Sequence, residues 1–498
     1  MESIDRRTAL KYAAMAAFAP AAAWLAACSQ EPAPAPAPEP VPEPEGDDAP
    51  APDTPAVAYT IDNIRDYVVG VDQEVELEEG GKKVAICFDN AATTPAFKPV
   101  LDEVTAQLAM YGSIGRGFAQ KSDHSTEVYE MTRDKVLEFV GANTTDYICA
   151  FANSATDGLN KLASALIDHE GMVVLTTRVE HHSNDLPWRH LCKVIYADVD
   201  ELGRIKYDEI EQLLSENKVD IVSITAASNV TGYVTDVHYV AKLAHAHGAK
   251  IVVDGAQIVA HRKFSMIGDT PDENIDYFAF SAHKMYTPFG MGAVVGPLDD
   301  MVNRMPKFYG GGTVNIVADD WEMYKQAPAS FEAGSPNYLG VVGLGKAIEV
   351  LQEVGFDAIE EHERALTRRL LDGLSKVDNI IIYGDPTDAT DRVGVVTFNF
   401  PDINTFVIAQ RLARSYAIAT RRGAFCAHPY VWRLMGIPAE DLKTFADCTD
   451  VNTPGMVRLS LGIYNTEEEI DEFLSIFPEA LEMAREDMKH FMKIVPEY

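Results

Sequence analysis

The stretch "FSAHKMYTPFG", residues 280–290, decides how the rest of the chain is read. It ends an apolar run, Tyr277 to Phe280, with a single lysine, Lys284, just ahead of a Pro/Gly turn. A lysine at a strand end is ordinarily a solvated surface residue, because an unpaired ammonium is costly to bury. Whether Lys284 is one depends on what the neighbouring strand ends bring to it.

From Lys83 onward, short β-branched or aromatic runs alternate with helical patterns. Strands are predicted at "VAICFDN", "YICAFAN", "MVVLTTRVE", "KVIYADVD", "DIVSITAASN", "KIVVDGAQ", "YFAFSAHK" and "GAVVG", and helices near 99–111, 123–140, 157–169, 207–216 and 236–248. Apolar runs separated by helices point to a mainly parallel sheet covered on both faces. After about residue 340 a long helical stretch, 340–377, leads into "NIIIYGD", "RVGVVTFNF", "AIATRRGAFCAH" and "MVRLSLGIYN". A terminal amphipathic helix starts near Thr466, so this part reads as a smaller α+β domain.

In open α/β sheets, ligands gather beyond the carboxyl ends of the strands. Here those ends carry His181 and His182, Asn229, Asp254 with Gln257, and Ser281, His283 and Lys284. "YICAFAN" runs into Ser154, Ala155 and Thr156 at a helix start, where free N–H groups form an anion cradle. Each feature alone is what a strand end meeting water would show. Together they are the requirements of pyridoxal phosphate. Asp254 would pair with the ring nitrogen, Lys284 would bond the aldehyde, and Thr156 with the amides around it, Ser281 and His283 would hold the phosphate. His181 would stack on the ring.

The ordered blocks "FDNAATTP", "SATDGLN", "VEHHSNDLPW", "SNVTGYVTD", "VDGAQ", "FSAHKMYTPFGMG", "YGGGT", "FEAGSPN", "RRGAFCAHP" and "VRLSLGIYNTEEEID" resemble the class V aminotransferase group of pyridoxal-phosphate enzymes. Within it they resemble the cysteine desulfurases and selenocysteine lyases of the shorter-loop type, over residues 84–490. The resemblance implies the fold type I architecture: a large α/β domain with a mainly parallel seven-stranded sheet and a smaller C-terminal α+β domain. It implies Lys284, Cys426 and His181 as catalytic residues. Ala155, Thr156, Asn229, Asp254, Gln257, Ser281, His283 and Ser335 would bind the cofactor, Ser335 from the neighbouring subunit of a homodimer.

By the same resemblance, Arg458 clamps the substrate carboxylate, with Arg421 and Asn229 beside it. Cys426 takes sulfur from L-cysteine, or selenium from L-selenocysteine, leaving alanine and a persulfide that a sulfur-acceptor protein would collect. Other reactions on this cofactor stay open, namely transamination, epimerisation of the isopenicillin-N type or C–S lysis, with Cys426 incidental. The chain departs from the family pattern at Ser154 and Ala155, where glycine and threonine are frequent, and at Ala424 and Phe425, which replace polar residues. Arg116, following Gly115, is a further candidate site member.

The 498 residues allow two domains. The expected divisions are a signal peptide at 1–27, a linker at 28–57, an N-terminal segment packing on the small domain at 58–83, the large domain at 84–339 and the small domain at 340–498. A formal charge of −34 opposes nucleic acid, and no clustered Cys/His spacing suggests a metal. His245 and His247, two apart on a helix, do not share a face. The twin arginine Arg6-Arg7, an alanine-rich run and "LAAC" ending at Cys28 resemble a twin-arginine export signal with a lipoprotein cleavage box. Export with a lipid on Cys28, as the only membrane attachment, is therefore expected. The Pro/Ala/acid-rich segment 31–57 reads as an extended spacer.

Overall fold

The computed structural model describes residues 58–115, 117–445 and 453–494. The expected signal, Cys28, the linker and Arg116 lie outside the described residues. Residues from Ala58 onward form one compact unit containing two principal sheets.

The larger sheet has seven strands: β1 (Tyr147–Ala152), β2 (Val173–Thr177), β3 (Lys193–Ala197), β4 (Ile221–Thr225), β5 (Lys250–Asp254), β6 (Tyr277–Ser281) and β7 (Gly292–Pro297). Their order is β1-β7-β6-β5-β4-β2-β3. Only β7 runs against its neighbours, so the sheet is mainly parallel. β4 and β6 are buried at every position, which is why they read as unbroken apolar runs rather than alternating ones. In register, Thr225, Asp254 and Ala279 lie side by side. The polar ends of β4, β5 and β6 therefore open on one edge.

Two helices begin at that edge. α1 (Ala155–Leu166) follows β1 and is capped by Ser154, whose hydroxyl accepts from the Asp157 N–H. α2 (His182–Arg189) follows β2 and is capped by the His181 imidazole. The sequence places His181 and His182 at a strand end. They instead straddle a helix start, because Glu180 and Asn184 stitch this turn into the interior.

The smaller sheet is antiparallel, with strands β8 (Ile381–Tyr383), β9 (Val395–Asn399), β10 (Arg421–Gly423) and β11 (Met456–Ser460) in the order β8-β9-β11-β10. The long helical stretch is two helices, α3 (Tyr338–Val354) and α4 (Phe356–Leu374), broken at Gly355, whose φ of 87° is a left-handed value open to glycine. α4 and the terminal α6 (Glu467–Ile494, with α5 at Thr405–Tyr416 before it) share an apolar cluster with this sheet, centred on Phe398, Phe473 and Phe477.

"VAICFDN" adds no strand to the large sheet. Residues 86–87 pair with 418–419, and Asp89 bridges to Ser460 on β11. The chain then crosses to the large sheet, where the amide of Thr94 donates to the carbonyl of His283. This passage, 86–94, brings the two sheets to a common cleft. Among the described residues no helix is long and apolar enough to cross a membrane.

Candidate active site

A cleft of about 240 Å3 lies between the carboxyl edge of the large sheet and the β10–β11 side of the small one. Lys284, His181, Asn229, Asp254, Gln257, Ser281, His283, Ala155, Thr156, Arg421, Cys426 and Arg458 all line it, so among the described residues one cavity gathers every expected cofactor and substrate residue but Ser335. Ser335 lines a different cavity, with Tyr129, Arg133 and Lys325.

At the floor, Asp254 is 2 % exposed, and among the described residues its carboxylate accepts only from the Ala256 N–H, at 2.9 Å. Burial raises its pKa, and the charge of Lys284 offsets part of that rise. Such a carboxylate calls for a cationic or N–H partner. Gly255 follows because nothing larger fits: a Cβ there would lie 1.9 Å from the Phe278 ring. Gln257 donates through Nε2 to the Ala91 carbonyl at 3.0 Å, while its buried Oε1 has no partner among the described residues.

Lys284 lies just past the end of β6, in a single 3-10 turn, half-buried and lining the cleft. Burial, aided by Arg458, lowers its pKa to about 8, and Asp254 counteracts the fall. That leaves a substantial neutral fraction near neutral pH, which a nucleophilic amine needs.

The Nδ1 of His181 accepts from the Ser183 N–H at 3.1 Å, so Nε2 carries the proton of the neutral ring. Burial first, then Lys284, hold its pKa down at about 3. Behind it Glu180 accepts from Thr177 Oγ1 and Asn184 Nδ2, at 2.6 and 2.7 Å, and burial lifts its pKa to about 8. Glu180 anchors the turn that aims His181.

The anion cradle differs in detail from its expected form. The Ala155 amide is already committed to Ser281 Oγ at 2.7 Å. In its place Ser183, which was missed, brings a second hydroxyl 2.6 Å from Thr156 Oγ1. First-turn amides of α1 have no helical acceptor of their own and face the same end. The departure at Ser154 and Ala155 is thus met by the Ser183 hydroxyl from α2.

On the opposite wall Arg421 and Arg458 are cross-strand partners on β10 and β11. Asp89, also missed, stands between them: its Oδ1 accepts from Arg458 Nη2 at 3.0 Å and its Oδ2 lies 3.7 Å from Arg421 Nη1. One carboxylate between two guanidiniums leaves a net positive charge for an anionic substrate. Arg458 is buried, and its Nε has no partner among the described residues. Cys426 is exposed on the cleft wall, next to Phe425. Asn229 Nδ2, expected to reach the cofactor or substrate, donates to the Phe425 carbonyl at 2.7 Å.

Residues 86–473 match the aminotransferase class-V family. The chain is 33 % identical over 395 residues to a probable cysteine desulfurase of Halalkalibacterium halodurans, covering 78 % of this chain and 90 % of that protein. It is 33 % identical over 401 residues to a cysteine desulfurase of an Enterobacter species, covering 78 % and 91 %. The apo structure of the cysteine desulfurase from Thermococcus onnurineus superposes with a TM-score of 0.73 at 28 % identity, covering 84 % of this chain and 98 % of that one. The Escherichia coli cysteine desulfurase CsdA gives 0.70 at 25 % identity, covering 86 % and 99 %.

Proposed function

Since the chain belongs to the aminotransferase class-V family, we propose that it is a pyridoxal-phosphate-dependent cysteine desulfurase, turning L-cysteine into L-alanine with the sulfur kept on Cys426. One observation carries this reading: an exposed thiol, Cys426, shares its cleft with Lys284, Asp254 and Arg458. The residues present fit the cofactor. Asp254 is a buried carboxylate without an ionic partner among the described residues, and Gln257 Oε1 is a buried acceptor without a donor.

When bound, the cofactor supplies an electron sink for the carbon that bears the amino group. Asp254 is placed to keep its ring nitrogen protonated, Lys284 to hold its aldehyde, and Thr156, Ser183, Ser281 and His283 to hold its phosphate. Arg458, whose Nε has no partner among the described residues, would receive the substrate carboxylate, with Arg421 adding charge from the rim. Lys284 Nζ can accept the proton from the substrate Cα. The Cys426 thiolate attacks the substrate sulfur: the Cβ–S bond breaks, its electron pair stays on carbon and takes up a proton to give the methyl group of alanine. The new S–S bond leaves a persulfide on Cys426.

Ser335 lies in another cavity and would serve the site of a second copy, which supports a homodimer with composite sites. Light scattering of the purified chain tests this. Selenocysteine as a substrate and a protein acceptor for the persulfide belong to the same proposal. Twin-arginine export and lipidation at Cys28 rest on the N-terminal sequence, and mass spectrometry of the membrane-bound protein, with Cys28→Ala as control, tests them.

The direct test is the absorbance spectrum of the purified protein, followed by L-cysteine with alanine and sulfide measured under reducing conditions. A yellow protein giving equal alanine and sulfide supports the proposal. Sulfide accompanied by pyruvate and ammonia would replace it with a C–S lyase.

A further inference from the structure

The turn that carries the thiol is built in an unusual backbone conformation. Phe425 and Cys426 have φ values of 50° and 55°, the left-handed region that large side chains rarely occupy. Two successive residues hold it only where the surroundings over-determine them. Three contacts do so here. The Asn229 side chain donates to the Phe425 carbonyl at 2.7 Å, the His182 N–H donates to the Cys426 carbonyl at 2.7 Å, and the Ala427 N–H closes the turn on Ala424 at 2.7 Å.

The conformation turns the Phe425 ring onto Arg458, whose guanidinium carbon lies 4.8 Å from the ring centroid. Arg458 Nη1 in turn donates to the Asn229 carbonyl at 3.0 Å. Asn229, Phe425 and Arg458 thus close a ring of contacts in which each holds the other two. Phe425 is buried, so its ring is a wall of the site and not a surface ornament.

We propose that Phe425 is a positioning residue for the substrate carboxylate: its ring fixes the guanidinium plane of Arg458, while its backbone sets the place of the Cys426 thiol. This deepens the proposed function and rests on it for the identity of the substrate. A ring face on the guanidinium leaves its plane open, and with Nη1 on the Asn229 carbonyl and Nη2 on Asp89 it is the Nε–H that remains to donate in plane to a carboxylate. The aromatic side chain thereby helps to select amino acids over simple amines.

The test uses the full chain loaded with its cofactor and follows L-alanine binding by absorbance, which involves no sulfur chemistry. Phe425→Leu is expected to weaken L-alanine about threefold to thirtyfold, the range of a cation–π contact, and Phe425→Tyr to stay within about twofold of the parent. In an Arg458→Gln background the Phe425→Leu loss should shrink below about twofold, because the ring would have no guanidinium to orient. An undiminished loss in that background, or none in Phe425→Leu, would overturn the proposal. Phe425→Met, apolar but ringless, repeats the test should the leucine variant not fold. A parent protein that binds L-alanine yet releases no sulfur from L-cysteine would sink the desulfurase reading and leave this one standing.

Discussion

The two walls of the cleft are made by different means. On the large-sheet wall Asp254 is held in strand register, and His181 and Lys284 sit in the short turns that follow the ends of their parallel strands. On the small-sheet wall Cys426 rides a left-handed turn outside any strand, kept in place by contacts from Asn229 and His182. The first wall is placed by the fold itself, the second by a few local bonds. Substitutions on the first wall should therefore remove chemistry outright, and those on the second should separate one step from the others.

The sharpest break comes from Lys284→Ala. Alanine formation should fall by at least about 10³-fold, in the range of a lost acid–base and covalent group, and the long-wavelength absorbance of the bound cofactor should disappear with it. Cys426→Ser should retain that absorbance and the binding of L-alanine while sulfide release drops by about 10²-fold or more. Should both variants lose the spectrum equally, the contrast between the walls would be wrong.

A subtler probe is pH. With Lys284 near a pKa of about 8 rather than 10.5, its amine is charged below pH 8 and neutral above. Loading of cofactor onto the apoprotein, which needs the neutral amine, should slow roughly tenfold for each pH unit below 8 and level off above it. A stopped-flow loading profile still rising at pH 10 would show that burial does not depress this lysine. The smallest effect is expected at the cradle. Ser183→Ala should weaken cofactor affinity by roughly twofold to tenfold, the worth of one hydrogen bond, read as the dissociation constant of the apoprotein for pyridoxal phosphate.

The contrast also explains what could be read ahead of the structure. Strand-end residues were legible because parallel strands buried on both faces announce themselves as apolar runs, and their last polar residue is the one at the edge. Asp89 was passed over because "VAICFDN" reads as another strand, whereas it opens a crossing segment whose carboxylate meets Arg458, 369 residues further along the chain. Ser183 was hidden for a related reason. Its place depends on α2 starting beside α1, which no local pattern in "HHSN" states. The left-handed Phe425-Cys426 turn was illegible too, since glycine or asparagine would mark such a conformation and neither is present.

The crossing passage at residues 86–94 has a consequence for the life of the molecule before it first turns over. One carboxylate on it, Asp89, bonds to Arg458, close to the end of the chain, and its Thr94 amide bonds to the turn bearing Lys284. A ribosome must therefore have passed residue 458 before either wall can close on the other. The lysine side waits as well, because the hydroxyl of Tyr286, two residues past Lys284, accepts from the Ile463 N–H. The cleft is thus finished only when its last strand has been made, and neither wall is complete in a shorter chain.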